Sequence, residues 1–318
     1  METSLKIVMY HYVRHLKNSR YPSIKGLEYE LFKEQLIFFN KNFRVINMED
    51  IIAYYEFGDK LPQNALLLTF DDGYIDHYNY VLPILAKHKM QGSFFVPGKV
   101  FMENCLLDVN KIHYILASAD INVLCKALFK YLDEYRCDKW RYEENQILFK
   151  KYAIENRFDS KETIFLKRIL QTVLPEELRR IISSKLLEEF VGIPEKMLAC
   201  ELYLNREQMD DMKSRGMFFG LHGYDHYWMN RLELGELKKD IKKGVESLNG
   251  LIDEKKWVIN YPYGSYSKQV IESLKDSGCI LGFSTEVRTA NLAKDNRYIL
   301  PRFDTNDFPP KSNYYLQL

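Results

Sequence analysis

The chain has 318 residues, 46% of them hydrophobic and 28% charged, a globular composition that excludes a disordered or collagen-like polymer. Its 45 Lys and Arg stand against 44 Asp and Glu, so the net charge is +1 and no global field is available to hold nucleic acid. Mean hydropathy is −0.35, and no apolar run reaches the roughly 18 residues that a membrane span needs.

The first eleven residues lack the basic start, apolar middle and small-residue cleavage site of a signal peptide. Five scattered cysteines with no Cys-x-x-Cys pair read as reduced thiols. Together these predict a cytoplasmic protein.

The first hundred residues alternate between strand and helix patterns. Residues 5–9 read as a buried strand, 31–39 as a helix, 43–46 as a short strand and 48–57 as a helix. Residues 65–70 form a continuous apolar run that ends at a charged turn, Asp71-Asp72-Gly73. A helical pattern over 74–88, interrupted only by Pro83, leads to a strand at 92–96. The rhythm returns later, with a helix over 205–215 capped by Asn205 and stopped by Gly216, and a strand at 217–221. A long helix over 232–251, a strand at 257–259, a helix at 268–275, and strands at 279–283 and 298–300 follow. Buried strands alternating with helices predict a parallel α/β fold. Residues 104–204 break the rhythm. Few glycines and periodic apolar positions such as Ile164, Leu166, Ile169 and Leu170 predict a helical insertion within a single domain. It would serve as scaffold, as an oligomer contact or as a cap over a site.

Three features carry chemistry. Thr69-Phe70-Asp71-Asp72-Gly73-Tyr74 places two adjacent carboxylates at the end of a buried strand, where parallel α/β folds put their active groups. Such neighbours repel unless a metal or an arginine supplies positive charge, although Asp-Asp-Gly alone is also an ordinary turn. His222-Gly-Tyr-Asp-His226 follows another strand, and imidazoles four apart can converge on one ion. Asp with two His is a tridentate N/O set that leaves a position open for water and substrate. It suits Zn²⁺, and equally Co²⁺, Ni²⁺ or Fe²⁺. Tyr261-Pro-Tyr263-Gly264, again after a strand, is a fixed loop whose backbone N–H could face a developing oxyanion.

With these motifs the sequence resembles the polysaccharide deacetylase family, the NodB-homology or carbohydrate esterase 4 family. Thr69 to Gly73 matches its T-F-D-D-G motif. The paired histidines loosely meet its H-S/T-x-x-H motif, and Asn260-Tyr-Pro-Tyr263-Gly264 meets R-x-P-Y without the arginine. The resemblance covers about residues 1–100 and 205–305. It implies a distorted (β/α) barrel that removes N- or O-acetyl groups from sugars with a divalent metal, on a surface glycan or its precursor. In those terms Asp71 is the general base, Asp72, His222 and His226 are the metal ligands, and Tyr263 offers its N–H to the oxyanion. The family's late Leu-x-His motif, which carries the general acid, is absent: Leu300-Pro-Arg-Phe-Asp304 stands there instead. Members resembling a circularly permuted version place that histidine on the first strand, which points to His11. Arg302 or, less well placed, Arg288 would replace the missing arginine.

Tyr74, Tyr224, Trp228 and Tyr266 lie beside the motifs and could line a sugar groove, though aromatics at strand ends usually pack. Two other readings stay open. One is a metal-dependent amidohydrolase or esterase acting on a non-carbohydrate acyl compound. The other is a catalytically silent glycan-binding fold.

Overall fold

The computed structural model describes residues 4–155 and 159–317. The chain divides into two compact units, one of Met1–His15, Gly26–Asn104 and Cys200–Leu318, the other of Leu16–Lys25 and Cys105–Ala199.

The first unit is built on one sheet. Its strands run Ala290–Asn291, Ser4–Tyr10, Ala65–Phe70, Ser93–Val96, Phe218–Leu221, Trp257–Asn260 and Cys279–Phe283 in order across the sheet. All neighbours are parallel except Ala290–Asn291, which pairs antiparallel with the first strand. Short strands Arg44–Val45 and Phe303–Asp304 add to Ala65–Phe70 and Ser4–Tyr10. The sheet curls. Leu300 bridges to Phe283 at one end of the strand order, and three residues later Phe303 pairs with Val8 at the other end. A curled parallel sheet with helices between its strands is the parallel α/β fold that the strand–helix rhythm predicted, in the distorted (β/α) barrel form that the family resemblance implied.

The strands are apolar because both faces are covered. Ala65–Phe70 and Trp257–Asn260 are buried at every position. Leu5, Ile7, Leu67, Phe95, Val258, Leu281 and Phe283 close the barrel interior. Between strands, the expected helices form at Tyr29–Asn42, Met48–Phe57, Arg206–Ser214 and Lys268–Asp276. Asn205 caps the third of these through Gln208, as its sequence suggests.

Three expectations need correction. Residues 74–88 do not make one regular helix: a π-helical turn, His77–Val81, precedes Leu82–His88, with Pro83 in its first turn. The long helix ends at Ser247 rather than 251. Leu248 and Leu251 are buried and continue the apolar period, but they do so in a turn that needs Gly250 at φ 79°. Residues 298–300 form no strand. The Asn296 side chain accepts the Tyr298 N–H in a turn, and only Leu300 joins the sheet.

The regular elements among the second unit's described residues are helices, while Leu16–Lys25 is turn and coil. The unit holds Asp108–Ser118, Ile121–Tyr135, Asn145–Tyr152, Lys161–Arg168 and Glu176–Phe190. The periodic positions Ile164, Leu166, Ile169 and Leu170 are buried, alongside Leu128, Leu132, Phe165 and Ile182. Among the described residues, no helix is long and apolar enough to cross a membrane.

Candidate active site

The candidate site residues all belong to the first unit. Ala65–Phe70 delivers Asp71 and Asp72 at its end, and a sharp backbone turn points the two carboxylates apart. Asp72 sits at φ 71° and Gly73 at φ 65°. Gly73 has no substitute, because a Cβ there would lie 2.7 Å from a Val96 methyl.

Asp72 faces the paired histidines. Its Oδ1 lies 3.3 Å from His222 Nε2 and 3.3 Å from His226 Nε2, and all three residues are buried. Its Oδ2 accepts the Tyr74 hydroxyl at 2.6 Å. His222 Nδ1 is 2.8 Å from the Asn260 carbonyl oxygen, which can only accept, so the ring carries its proton on Nδ1. Nε2 then offers a lone pair toward Asp72. Oδ1 is buried and has no hydrogen-bond donor among the described residues. Asp72 Oδ1, His222 Nε2 and His226 Nε2 thus converge within 4.8 Å of one another. A buried carboxylate with two imidazoles is a donor set of the kind that fits a divalent metal. Without an ion the cluster must borrow a proton. Burial pushes His222 down, but the Asp72 and Asp71 carboxylates more than offset this and raise it. Burial, aided by His222, keeps His226 below its ordinary value.

The loop that carries the histidines is held by a residue that sequence reading missed. Asp240, on Leu234–Ser247, is buried. Its Oδ2 accepts the Tyr224 N–H at 3.0 Å and its Oδ1 the Asp225 N–H at 3.0 Å. Both carboxylate oxygens are therefore spent on shaping the turn between the two histidines. Lys99 pairs with Asp225 at 2.6 Å on the same loop.

Asp71 is treated in the opposite way. The Arg302 guanidinium meets it with two parallel contacts, Nη1 to Oδ1 and Nη2 to Oδ2, each 2.9 Å. Arg302 is fixed in turn by Ser284 O and Thr69 Oγ1. Burial alone pushes the Asp71 carboxyl up, but Arg302, then His222 and His11, more than offset this and hold it below the usual carboxylate range. Asn260 also donates to Asp71 Oδ1 through its amide. The residue standing where the family motif has arginine, Asn260, therefore still touches Asp71, and the guanidinium comes from position 302 instead. Arg288 is not part of this arrangement, since it is paired with Glu286 and Asp295.

His11 follows the first strand. Its side chain is 41% exposed, and Nε2 lies 4.0 Å from Asp71 Oδ2. Tyr263 holds φ 57°, and its ring is wedged between Trp228, stacked at 4.4 Å, and His226, edge-on at 4.6 Å. The structure thus gathers Asp71, Asp72, His222, His226, His11 and Arg302 into one linked set, and Tyr263 joins it through His226. The neighbouring aromatics serve packing more than lining. Tyr74 is buried, Tyr224 donates to Glu103, and Trp228 supports Tyr263, which leaves Tyr266, 37% exposed, as the open face.

The polysaccharide deacetylase family model matches residues 58–136 and 151–280, well over half the chain. The chain belongs to the polysaccharide deacetylase family. The match contains Asp71, Asp72, His222, His226 and Tyr263, and lies outside His11 and Arg302. YxkH of Bacillus subtilis (strain 168), a curated relative named for the same family, is 23% identical over 96 residues. That stretch is 30% of this chain and spans about a third, 34%, of the relative. Among solved structures, the Streptococcus pyogenes deacetylase PplD, determined in complex with acetate, is similar with a TM-score of 0.61 at 16% identity. The alignment covers 100% of this chain and 98% of that one. IcaB from Ammonifex degensii is similar at 0.56 and 18% identity, covering 99% and 98%. At these identities the likeness concerns the fold.

Proposed function

We propose that this deacetylase-family chain is a metal-dependent carbohydrate deacetylase that hydrolyses an N-acetyl, or O-acetyl, group on a sugar of a glycan or glycan precursor. The observation that carries the reading is the convergence of Asp72, His222 and His226 on one point, next to a carboxylate, Asp71, already neutralised by Arg302. Asp72 Oδ1, His222 Nε2 and His226 Nε2 would hold a divalent ion, Zn²⁺ or another such as Co²⁺ or Ni²⁺. When bound, the ion supplies Lewis acidity at the acyl oxygen and a lowered pKa for the attacking water.

The chain's own residues do the rest. Asp71, ionised and oriented by Arg302 and Asn260, takes the proton of the attacking water at a carboxylate oxygen. The Tyr263 backbone N–H stabilises charge on the tetrahedral carbon's oxygen, a contribution that typically amounts to a hundredfold or more in rate. His11 donates the proton that the leaving group needs. An amine anion is a very poor leaving group, so a histidine held beside the base suits an amide more than an ester.

The test is metal analysis of the purified protein together with acetate release from an N-acetylglucosamine oligosaccharide. About one divalent ion per chain together with acetate release supports the reading. Metal without acetate would redirect it to non-carbohydrate acyl compounds. No metal after Zn²⁺ is added back would leave a silent binding fold.

A further inference from the structure

The segment 71–77 does more than supply two carboxylates. Its next residues grip residues 10–14, which carry His11. The Asp71 N–H donates to Tyr10 O at 2.9 Å. His77 Nε2 lies 3.0 Å from the His11 carbonyl oxygen, so that nitrogen carries a proton and donates it. The Tyr12 ring stacks on Tyr74 at 4.0 Å, nearly parallel. Asp76 Oδ2 accepts the Val13 N–H at 3.2 Å and Arg14 Nε at 2.7 Å. The backbone of residues 10–13 is therefore tied down on both sides of His11, while the His11 side chain stays part-exposed beside Asp71.

The side chains of Asp76 and His77 are directed at this segment, bonding residues 13 and 14 and residue 11 respectively. His77 is fully buried among Phe70, Tyr74 and Phe94. Its Nδ1 has no partner among the described residues. An apolar side chain would fill that space without leaving a desolvated nitrogen, so stability alone gives a poor reason for histidine. The hydrogen bond to the His11 carbonyl is what the histidine adds.

We infer that Asp76 and His77 are positioning residues that hold His11 over Asp71, so that one stretch of seven residues supplies the base and places the acid. The inference rests on the deacetylase reading with His11 as the proton donor. A proton donor displaced by even 1 Å loses much of its effect. The loss shows only where the leaving group needs a proton. An N-acetyl sugar needs one, whereas the nitrophenolate of 4-nitrophenyl acetate leaves without one.

The experiment measures both reactions in His11→Ala, His77→Leu and His77→Gln, with metal content alongside. His11→Ala should lower amide hydrolysis by about 10²–10⁴-fold, the usual worth of a general acid, and ester hydrolysis far less. His77→Leu should lower amide hydrolysis by about tenfold or more, with ester hydrolysis and metal content near wild type. His77→Gln, whose amide N–H can reach the same carbonyl, should recover most of that loss. If His77→Leu does not fold, Asp76→Asn is read by the same amide-to-ester ratio. A ratio unchanged in His77→Leu or, where that fails to fold, in Asp76→Asn, while His11→Ala shifts it, overturns the positioning role alone. A ratio unchanged in His11→Ala overturns the acid assignment and the inference with it.

Discussion

The two carboxylates of the Asp71-Asp72 pair are adjacent in sequence, and the fold makes them opposites. Asp71 arrives at a site whose charge is already balanced, since Arg302 forks onto both oxygens and Asn260 adds a third contact. Asp72 arrives at a site with a deficit, since its Oδ1 faces two imidazole nitrogens and no donor. A side chain with its own cation can be kept ionised and can exchange a proton. A carboxylate oxygen facing two imidazole nitrogens is suited to share an ion with them. The proposed division into base and ligand therefore rests on what each carboxylate meets, because the residue type is the same.

The comparison breaks most completely at His222. His222→Ala removes one of three ligands from a cluster that has no spare donor, and should abolish both metal content and hydrolysis, read by elemental analysis and acetate release. Asp71→Asn tests the other half. It should retain metal and lose about 10²–10⁴-fold in turnover, and wild-type turnover in this variant would refute the base assignment. Arg302→Met strips the balanced half of its cation and leaves Asp71 buried without a counter-charge. Breaking such a pair typically costs about 3–5 kcal/mol, measurable as a lower urea midpoint. Metal content should change little, because Arg302 contacts no ligand.

Stability against pH sharpens the same contrast at His77, whose burial drives its pKa down to about 4. The unfolded chain takes up this proton near pH 6.5 and the folded chain does not until about pH 4. The unfolded state is thus favoured progressively as pH falls through that window, by about 3 kcal/mol in all. His77→Leu lacks this term. Its stability relative to wild type should therefore rise as pH falls from 6.5 to 4, measured by denaturant titration at each pH.

The sequence made the strand-end motifs legible because the groups that act together there are neighbours in the chain. Thr69 to Gly73 and His222 to His226 each place a strand, a turn and their chemistry within a few residues. Arg302 could be placed only as one of two candidates, because its partner stands 231 positions away and only the curl of the sheet brings them together. Asp240 and His77 left no local signal at all. Each acts on the backbone of a distant loop, and an acid on an amphipathic helix or a histidine after Asp looks the same whether it does this or not. The misread elements have a related cause. Apolar periodicity continued past Ser247 and through 298–300 because Leu248, Leu251, Tyr298 and Leu300 are buried, and burial does not require a helix or a strand.

Asp240 gives the smallest of the expected effects and the finest test. Its two oxygens accept two consecutive N–H groups in the loop between the proposed metal ligands His222 and His226. Asp240→Asn keeps the volume but turns one acceptor into a donor, which must then face either the Tyr224 or the Asp225 N–H. The loop has to move to relieve that contact, and His222 and His226 move with it. Loss of such an outer support typically weakens metal binding by about 10–100-fold. Competition against a chelator should show this weaker Kd for the metal. Turnover at saturating metal should return close to wild type, because Asp240 touches neither the base nor the acid. If chelator competition instead matched wild type while the urea midpoint fell, Asp240 would be a support of the helix rather than of the ligand loop.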